Sequence, residues 1–279
     1  MMESQEHIER VRDYYFKSRF GYKCLLWGSQ HFGYYPSDRP NISEKEAQIL
    51  MQDLVGKKLR LSDSMKVLDA GCGRGVVASY LTEKYGCSIE AIDITPMLIE
   101  EAKNRARRTN VNKVNFHVMD YSNTDFQNEY FDTSYSVETL CHSLNINKTL
   151  KELYRILKKG GKIALFEYAI ANDEDFSPYE LNMLNYVINV TGTEGLYNFR
   201  DGKLQNLIRK AGFRKIEVED ITNNVLPSLN RLRKFFFLPY FFVKISNSHL
   251  RYPNPTIAVE WYKLMKKGLW IYNIFTACK

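Results

Sequence analysis

KVLDAGCGRG, residues 66–75, is a short apolar run that breaks into three glycines and passes directly into VVASYLTEKYG, residues 76–86. Val67 and Leu68 read as a buried strand, Gly71, Gly73 and Gly75 as a turn too tight for side chains, and the residues from Val76 as a helix. Strand, glycine turn and helix make the opening unit of a parallel sheet. The alternation continues outward through SIEAID (88–93), MLIEEAKNRARRTN (97–110), VNFHVMD (114–120), FDTSYSVE (131–138), a helix from Lys148, and KIALFEYAI (162–170). Gly86 and the pair Gly160–Gly161 are expected to stop two of the helices. RKIEVEDI (214–221) and WIYNIFTAC (270–278) read as two further strands, and Asp201 caps a helix that runs to Ala211–Gly212 ahead of them. The expected fold is α/β: a Rossmann-like, doubly wound, mostly parallel sheet of seven strands.

Residues 1–60 precede this core as a helical cap dense in aromatics, among them Tyr14, Tyr15, Phe16, Phe20, Tyr22, Trp27, Phe32, Tyr34 and Tyr35. The core domain is expected over 61–279, with substrate-side insertions at about 171–200 and 223–265. FFFLPYFFV (235–243), set between Lys234 and Lys244, is too short to span a bilayer. Its plainer reading is the core-facing side of a lid. Its sharper reading is a greasy entrance resting on a membrane surface, helped by Arg231, Arg233 and Lys234.

Composition narrows the function classes. Apolar residues at 44% and charged residues at 25% exclude disordered and collagen-like chains. The first residues have no apolar signal core and no run approaches the ~20 apolar residues of a membrane span, so a cytoplasmic protein, possible membrane association aside, is expected. Cys24, Cys72, Cys87, Cys141 and Cys278 are scattered without a C-x-x-C pair, which argues against disulfides and a structural zinc; no metal is expected. The net charge of +7 is uneven, because residues 200–279 hold 15 Lys+Arg against 5 Asp+Glu. Those basic residues lie in no nucleic-acid-binding motif, and no nucleic-acid partner is expected.

The glycine loop departs from the dinucleotide pattern: its third glycine comes one place early, and Asp69 stands two residues before the first. A carboxylate there repels a pyrophosphate but suits a ligand carrying an ammonium and a sulfonium. Gly71 and Gly73 let the backbone approach such a ligand. Asp93, at the end of the second strand, can accept from both hydroxyls of an adenosyl ribose. Asp120 can take the adenine amino group, with Tyr121 or Ile94 against the ring. Three acids at the carboxyl ends of consecutive strands form a specific constellation, since ligands of open α/β sheets bind along that edge.

VLDAGCGRG, AIDITP, HVMDY and LKKGGKIAL resemble, in order, the motifs of class I S-adenosyl-L-methionine-dependent methyltransferases over about residues 64–170. SVETLCHS and FEYAIANDEDFSP are similar to segments of the sterol C-methyltransferases, while LLWGSQHFGYYP and IYNIFTACK look more like tocopherol and small-molecule relatives. The resemblance implies S-adenosyl-L-methionine as cofactor and a lipophilic sterol, terpenoid or prenylated aromatic as acceptor. The fourth strand then ends beneath the sulfonium, so Glu138 and His142 face the methyl group and its acceptor. If a helical turn follows Glu138, the two side chains share one face. Either could remove the proton that the acceptor loses, and an alkene acceptor would also leave a carbocation for aromatic faces to stabilise. The lipid cyclopropane synthases place an acid directly before the histidine, where this chain has Cys141. Val137 is expected at the cofactor, Tyr14 or Tyr15 at its methionine carboxylate, and Trp27, His31, Tyr34 and Glu167 around the acceptor. Two other readings stay open: a small polar or phenolic acceptor methylated on nitrogen or oxygen, and a non-catalytic adenosyl-binding scaffold.

Overall fold

A computed structural model describes residues 2–25, 29–200, 202–246, 248 and 252–279, without the side chains of 2–4 and 19–25. Trp27 and Asp201, and the side chains of Phe20 and Tyr22, therefore lie outside the described residues. The chain opens with α1 (Met2–Leu25) and α2 (Glu44–Leu59), then alternates β1 (Lys66–Ala70), α3 (Val76–Tyr85), β2 (Ser88–Asp93), α4 (Pro96–Thr109) and β3 (Val114–Val118). There follow β4 (Phe131–Val137), α5 (Ile146–Ile156), β5 (Leu157–Ile170), α6 (Pro178–Thr191), α7 (Lys203–Lys210), β6 (Arg214–Asp220), α8 (Thr222–Ile245), α9 (Pro253–Lys266) and β7 (Trp270–Cys278).

The seven strands form one sheet in the order β3-β2-β1-β4-β5-β7-β6. β1 lies inside the sheet, parallel to both neighbours, Val67 pairing with Ile89 on one side and Thr133 on the other. Only β7 runs antiparallel, inserted between β5 and β6. Strand order reverses at β1 and β4, which opens a crevice at their carboxyl ends, where β1 delivers the glycine loop and β4 delivers Glu138. Val67, Leu68, Phe131, Ile163 and Phe166 are fully buried, as a sheet covered on both faces requires.

Two helix boundaries differ in kind. Gly86 ends α3 as expected: its φ of 74° lets its N–H reach the carbonyl of Thr82. Gly160–Gly161 does not end α5, which stops at Ile156 because Leu157 already pairs with Phe131 in the sheet. A Cβ on Gly161 would lie 2.9 Å from the Asp132 carbonyl, so this glycine serves close strand approach.

The insertion expected at 223–265 is built mainly of helix. Its residues form most of α8 and α9, two helices packed together and joined to α6 through buried Glu260, which accepts from the hydroxyls of Tyr179 and Tyr240 and from Lys263. A second buried acid, Glu44, accepts from Tyr35 (2.9 Å), Ser228 (2.7 Å) and Arg231 (3.1 Å), tying α2 and the segment before it to α8. The core-facing reading of Phe235–Val243 fails. Val243 is buried, but Phe235, Phe237, Leu238, Phe241 and Phe242 are exposed, because α9 covers only one face of α8.

Candidate active site

The glycine loop is held by neighbouring elements. Gly71 and Gly73 have φ of 90° and 51°, and a Cβ on either would lie 2.1 Å from a neighbour, Thr139 Oγ1 or Gln30 Oε1. The Gly73 N–H donates to Asp93 Oδ2 at 2.9 Å and the Thr95 N–H to Oδ1 at 2.8 Å. Asp93 thus fastens the loop after β1 to the end of β2 and keeps lone pairs for two further donors. Burial raises its carboxyl pKa, while these backbone donors pull the other way. The cavity beneath has a volume of about 330 Å³ and is lined by Asp69, Gly71, Gly73, Asp93, Ile94, Asp120, Tyr121 and Val137, among others. All eight of these expected cofactor positions meet in one place.

Asp69 is the most informative of them. It is buried, and its Oδ2 and the nearby Tyr135 hydroxyl fall short of good hydrogen-bond geometry with any described residue, though Tyr135 is close enough to pull on the carboxyl. Burial pushes the Asp69 carboxyl up to about 8 against the pull of Tyr135. An uncompensated acid in a ligand cavity fits a cationic group, and a cation would restore its charge. Asp120 binds back to its own turn through the N–H and hydroxyl of Ser122 at 2.7 and 2.8 Å, and the Tyr121 hydroxyl donates to the Thr139 carbonyl.

α1 covers this cavity through His7, Ile8, Val11 and Tyr15. It is held down at several points: Arg12 donates twice to the Ile94 carbonyl at 3.1 and 2.8 Å, Arg10 pairs with Glu194, and His7 bridges Glu194 and the His142 carbonyl.

The tip of β4 does not form the α-helical turn that would put Glu138 and His142 on one face. Glu138 itself adopts the left-handed conformation (φ 56°), and a 3-10 turn follows over Leu140–His142, so Glu138 and His142 do not share one helix face. A residue held there without glycine's freedom is strained and must be fixed by its surroundings. Here the Glu138 carboxylate accepts from the Phe32 N–H (2.8 Å), the Tyr272 hydroxyl (3.0 Å) and the Tyr168 hydroxyl. Burial pushes it up to about 7, with those donors pulling down. Glu167, expected around the acceptor, stands behind the tip instead: its Oε1 accepts from Thr139 N and Leu140 N at 2.7 and 2.5 Å, and it lines neither this cavity nor the one described next. Its position on β5, directly beneath the turn, makes it an anchor for the backbone. His142 accepts or donates at both nitrogens, with Nδ1 2.8 Å from the Gly192 carbonyl and Nε2 3.0 Å from the Tyr15 hydroxyl. Nδ1 must carry the proton, so Tyr15 donates to Nε2; burial pushes the imidazole down to about 4 and keeps it neutral.

A second, mainly apolar cavity of about 130 Å³ lies beyond this tip, lined by side chains from α1, α6, α8, α9, β5 and β7. Phe32, Tyr168, Trp261 and Trp270 form one connected aromatic wall with neighbouring ring centroids 4.8–5.8 Å apart. Tyr15, Gln30, His31, Glu138 and His142 line both cavities and are the partition between them. Two expected positions shift: Tyr14 lines only the second cavity, not the first, and Tyr34 lines neither because it packs against the core beside α2. His31 holds its place, with Nδ1 bonded to the Phe32 carbonyl. Gln30 was missed: it sits within LLWGSQHFGYYP, but nothing in that stretch signals that its carboxamide folds back to accept from the Arg74 N–H.

A methyltransferase-domain profile matches residues 68–165. An S-adenosyl-L-methionine-dependent Diels-Alderase of Talaromyces variabilis is 30% identical over 253 residues, covering 87% of this chain and 86% of that protein. A sterol 24-C-methyltransferase of Debaryomyces hansenii is 30% identical over 166 residues, covering 59% of this chain but only 43% of its relative. Among solved structures, a cyclopropane synthase of Mycobacterium tuberculosis superposes with a TM-score of 0.82 at 17% identity, covering 98% of both chains.

Proposed function

The chain belongs to the class I S-adenosyl-L-methionine-dependent methyltransferase family, and from that premise we propose that it methylates a lipophilic sterol, terpenoid or prenylated aromatic, on carbon. One observation carries the reading: a cofactor cavity and an apolar cavity share a partition that contains a single carboxylate, Glu138. When bound, S-adenosyl-L-methionine supplies an electrophilic methyl on a sulfonium. The residues fit it: the Gly71–Gly73 cradle admits close backbone approach, Asp69 would meet a cation, and Asp93 and Asp120 would take the adenosyl hydroxyls and amine.

The chain's own residues divide the remaining work. The aromatic wall of Phe32, Tyr168, Trp261 and Trp270 excludes water and presents ring faces to positive charge that develops on the acceptor. Glu138 is the proton acceptor, because its carboxylate is fixed by three donors and its pKa lies near neutrality. His142 is neutral, a weak base with its free nitrogen taken by Tyr15, so it positions Tyr15 at the partition. An amine acceptor would favour a cage of several carboxylates, and among the described residues the apolar cavity has one. We also propose that the chain meets its acceptor through peripheral membrane contact.

The Talaromyces relative supports a second reading, in which the apolar cavity folds a polyene for cyclisation without methyl loss. Incubation with methyl-labelled S-adenosyl-L-methionine and a panel of sterols, prenylated aromatics, polyenes and amines separates them. Label on carbon in a lipophile is expected. Unlabelled cyclised polyene would establish the second reading, and label only in amines would overturn both.

A further inference from the structure

The outer face of α8 exposes a run of large apolar side chains. Phe235, Phe237, Leu238, Phe241, Phe242 and Ile245 are 54–69% exposed. At the angular step of an α-helix these six fall within an arc of roughly 160°. Leu229, Leu232 and Phe236 lie on the opposite side of the same helix and line the apolar cavity. Where the two overlap, at Phe235 and Phe236, one helix thickness, about 10 Å, separates the cavity from the exposed patch. No helix among the described residues is long and apolar enough to cross a membrane, so this face can lie on a bilayer but not pass through it.

Charge decides what covers it. Between Asp220 and Glu260 the chain has no carboxylate and has Arg231, Arg233, Lys234, Lys244 and Arg251. Lys234 and Lys244 are exposed at the two ends of the patch, while Arg231 is engaged with Glu44 and Arg233 lies over the Tyr262 ring. A second copy of this chain packed on the same face would bring like charges together with no acid from this segment to meet them. An anionic lipid surface offers hydrocarbon to the aromatics and phosphate or carboxylate to the lysines. We infer that the outer face of α8 docks on an anionic bilayer, lying parallel to it, so that a lipid-dissolved acceptor reaches the cavity across a single helix. The geometry stands independently of the proposed function; the purpose rests on its lipophilic acceptor.

Vesicle flotation of the full chain tests this, using phosphatidylcholine alone and phosphatidylcholine mixed with phosphatidylserine. The wild type is expected to float with the mixed vesicles. The exposed double variant Leu238→Glu/Phe242→Glu should lose at least ~10-fold in partitioning, since it places charge in the apolar face. Lys234→Ala/Lys244→Ala should lose roughly fivefold per lysine on anionic vesicles and little on neutral ones. Calorimetric S-adenosyl-L-methionine binding at wild-type affinity certifies that each variant is folded. Because flotation needs neither acceptor nor turnover, a mistaken acceptor leaves the result intact. Failure of the wild type to float, or flotation undiminished in Leu238→Glu/Phe242→Glu, overturns the inference. So does a dimer in sedimentation velocity that this variant abolishes while vesicles bind neither protein.

Discussion

The cofactor cavity and the apolar cavity meet at five residues but are assembled by different rules. The first hangs mainly on the ends of β1, β2, β3 and β4, where parallel pairing fixes the height of every strand tip. Asp69, Asp93 and Val137 take their positions from that register, and Gly71 and Gly73 follow within three residues of β1. The second is collected from six elements spread from Tyr14 to Trp270, held by buried acids that each gather donors from distant parts of the chain. Glu44, Glu138 and Glu260 act as such hubs. A site built on one sheet edge is stiff and shared by many chemistries; a site built between helices can change its lining without disturbing the sheet.

The sharpest way to break this division is to damage one side and read the other. Asp93→Ala should weaken S-adenosyl-L-methionine binding by ~1–3 kcal/mol in calorimetry, since it removes a buried acceptor and unfastens Gly73 from β2. Trp261→Ala should leave that affinity unchanged within about twofold and raise the KM of the acceptor, because Trp261 touches only the apolar cavity. Equal cofactor losses in both variants would mean that the cavities are one site.

A smaller effect follows from protonation. Burial pushes the Asp69 carboxyl up to about 8, and it must be ionised to meet a cation, so affinity for S-adenosyl-L-methionine should climb with pH, by up to tenfold per unit below about pH 8. Asp69→Asn should bind weakly with a flat profile; a flat profile in the wild type would remove the assignment. Ligand-free stability runs the opposite way. Asp69, Glu138 and Glu167 are raised to about 8, 7 and 8, so the folded state binds protons more tightly than the unfolded one. Their contribution is complete below the unfolded carboxyl range and is lost as pH rises through those values, which thermal melts across that window should show.

The same contrast explains what the sequence could tell. Strands, glycine loop and the three acids are local signals: KVLDAGCGRG, SIEAID and HVMDY each contain both the element and the residue it presents. The tip of β4 was legible as a site, yet its conformation was not, because the left-handed turn at Glu138 is set by Phe32, Tyr168 and Tyr272, which are 106, 30 and 134 residues away. For the same reason Glu167 looked like a pocket residue and is a backbone anchor. Gly160–Gly161 looked like a helix stop, but it lies within β5, where Gly161 lets β4 approach closely. FFFLPYFFV looked like core because hydropathy alone cannot say which side of a helix has a partner.

Glu138 is where the two cavities and the proposed chemistry coincide, so Glu138→Gln is the direct test. S-adenosyl-L-methionine affinity and single-turnover methyl transfer to the acceptor identified with labelled cofactor should be measured on the same preparation, with His142→Ala alongside. The account predicts cofactor affinity within about twofold of wild type and transfer slowed on the order of 10²–10⁴-fold for Glu138→Gln. For His142→Ala it predicts only about tenfold, the scale of one lost orienting hydrogen bond. Wild-type transfer by Glu138→Gln, or a loss of cofactor affinity as large as the loss of rate, would contradict it.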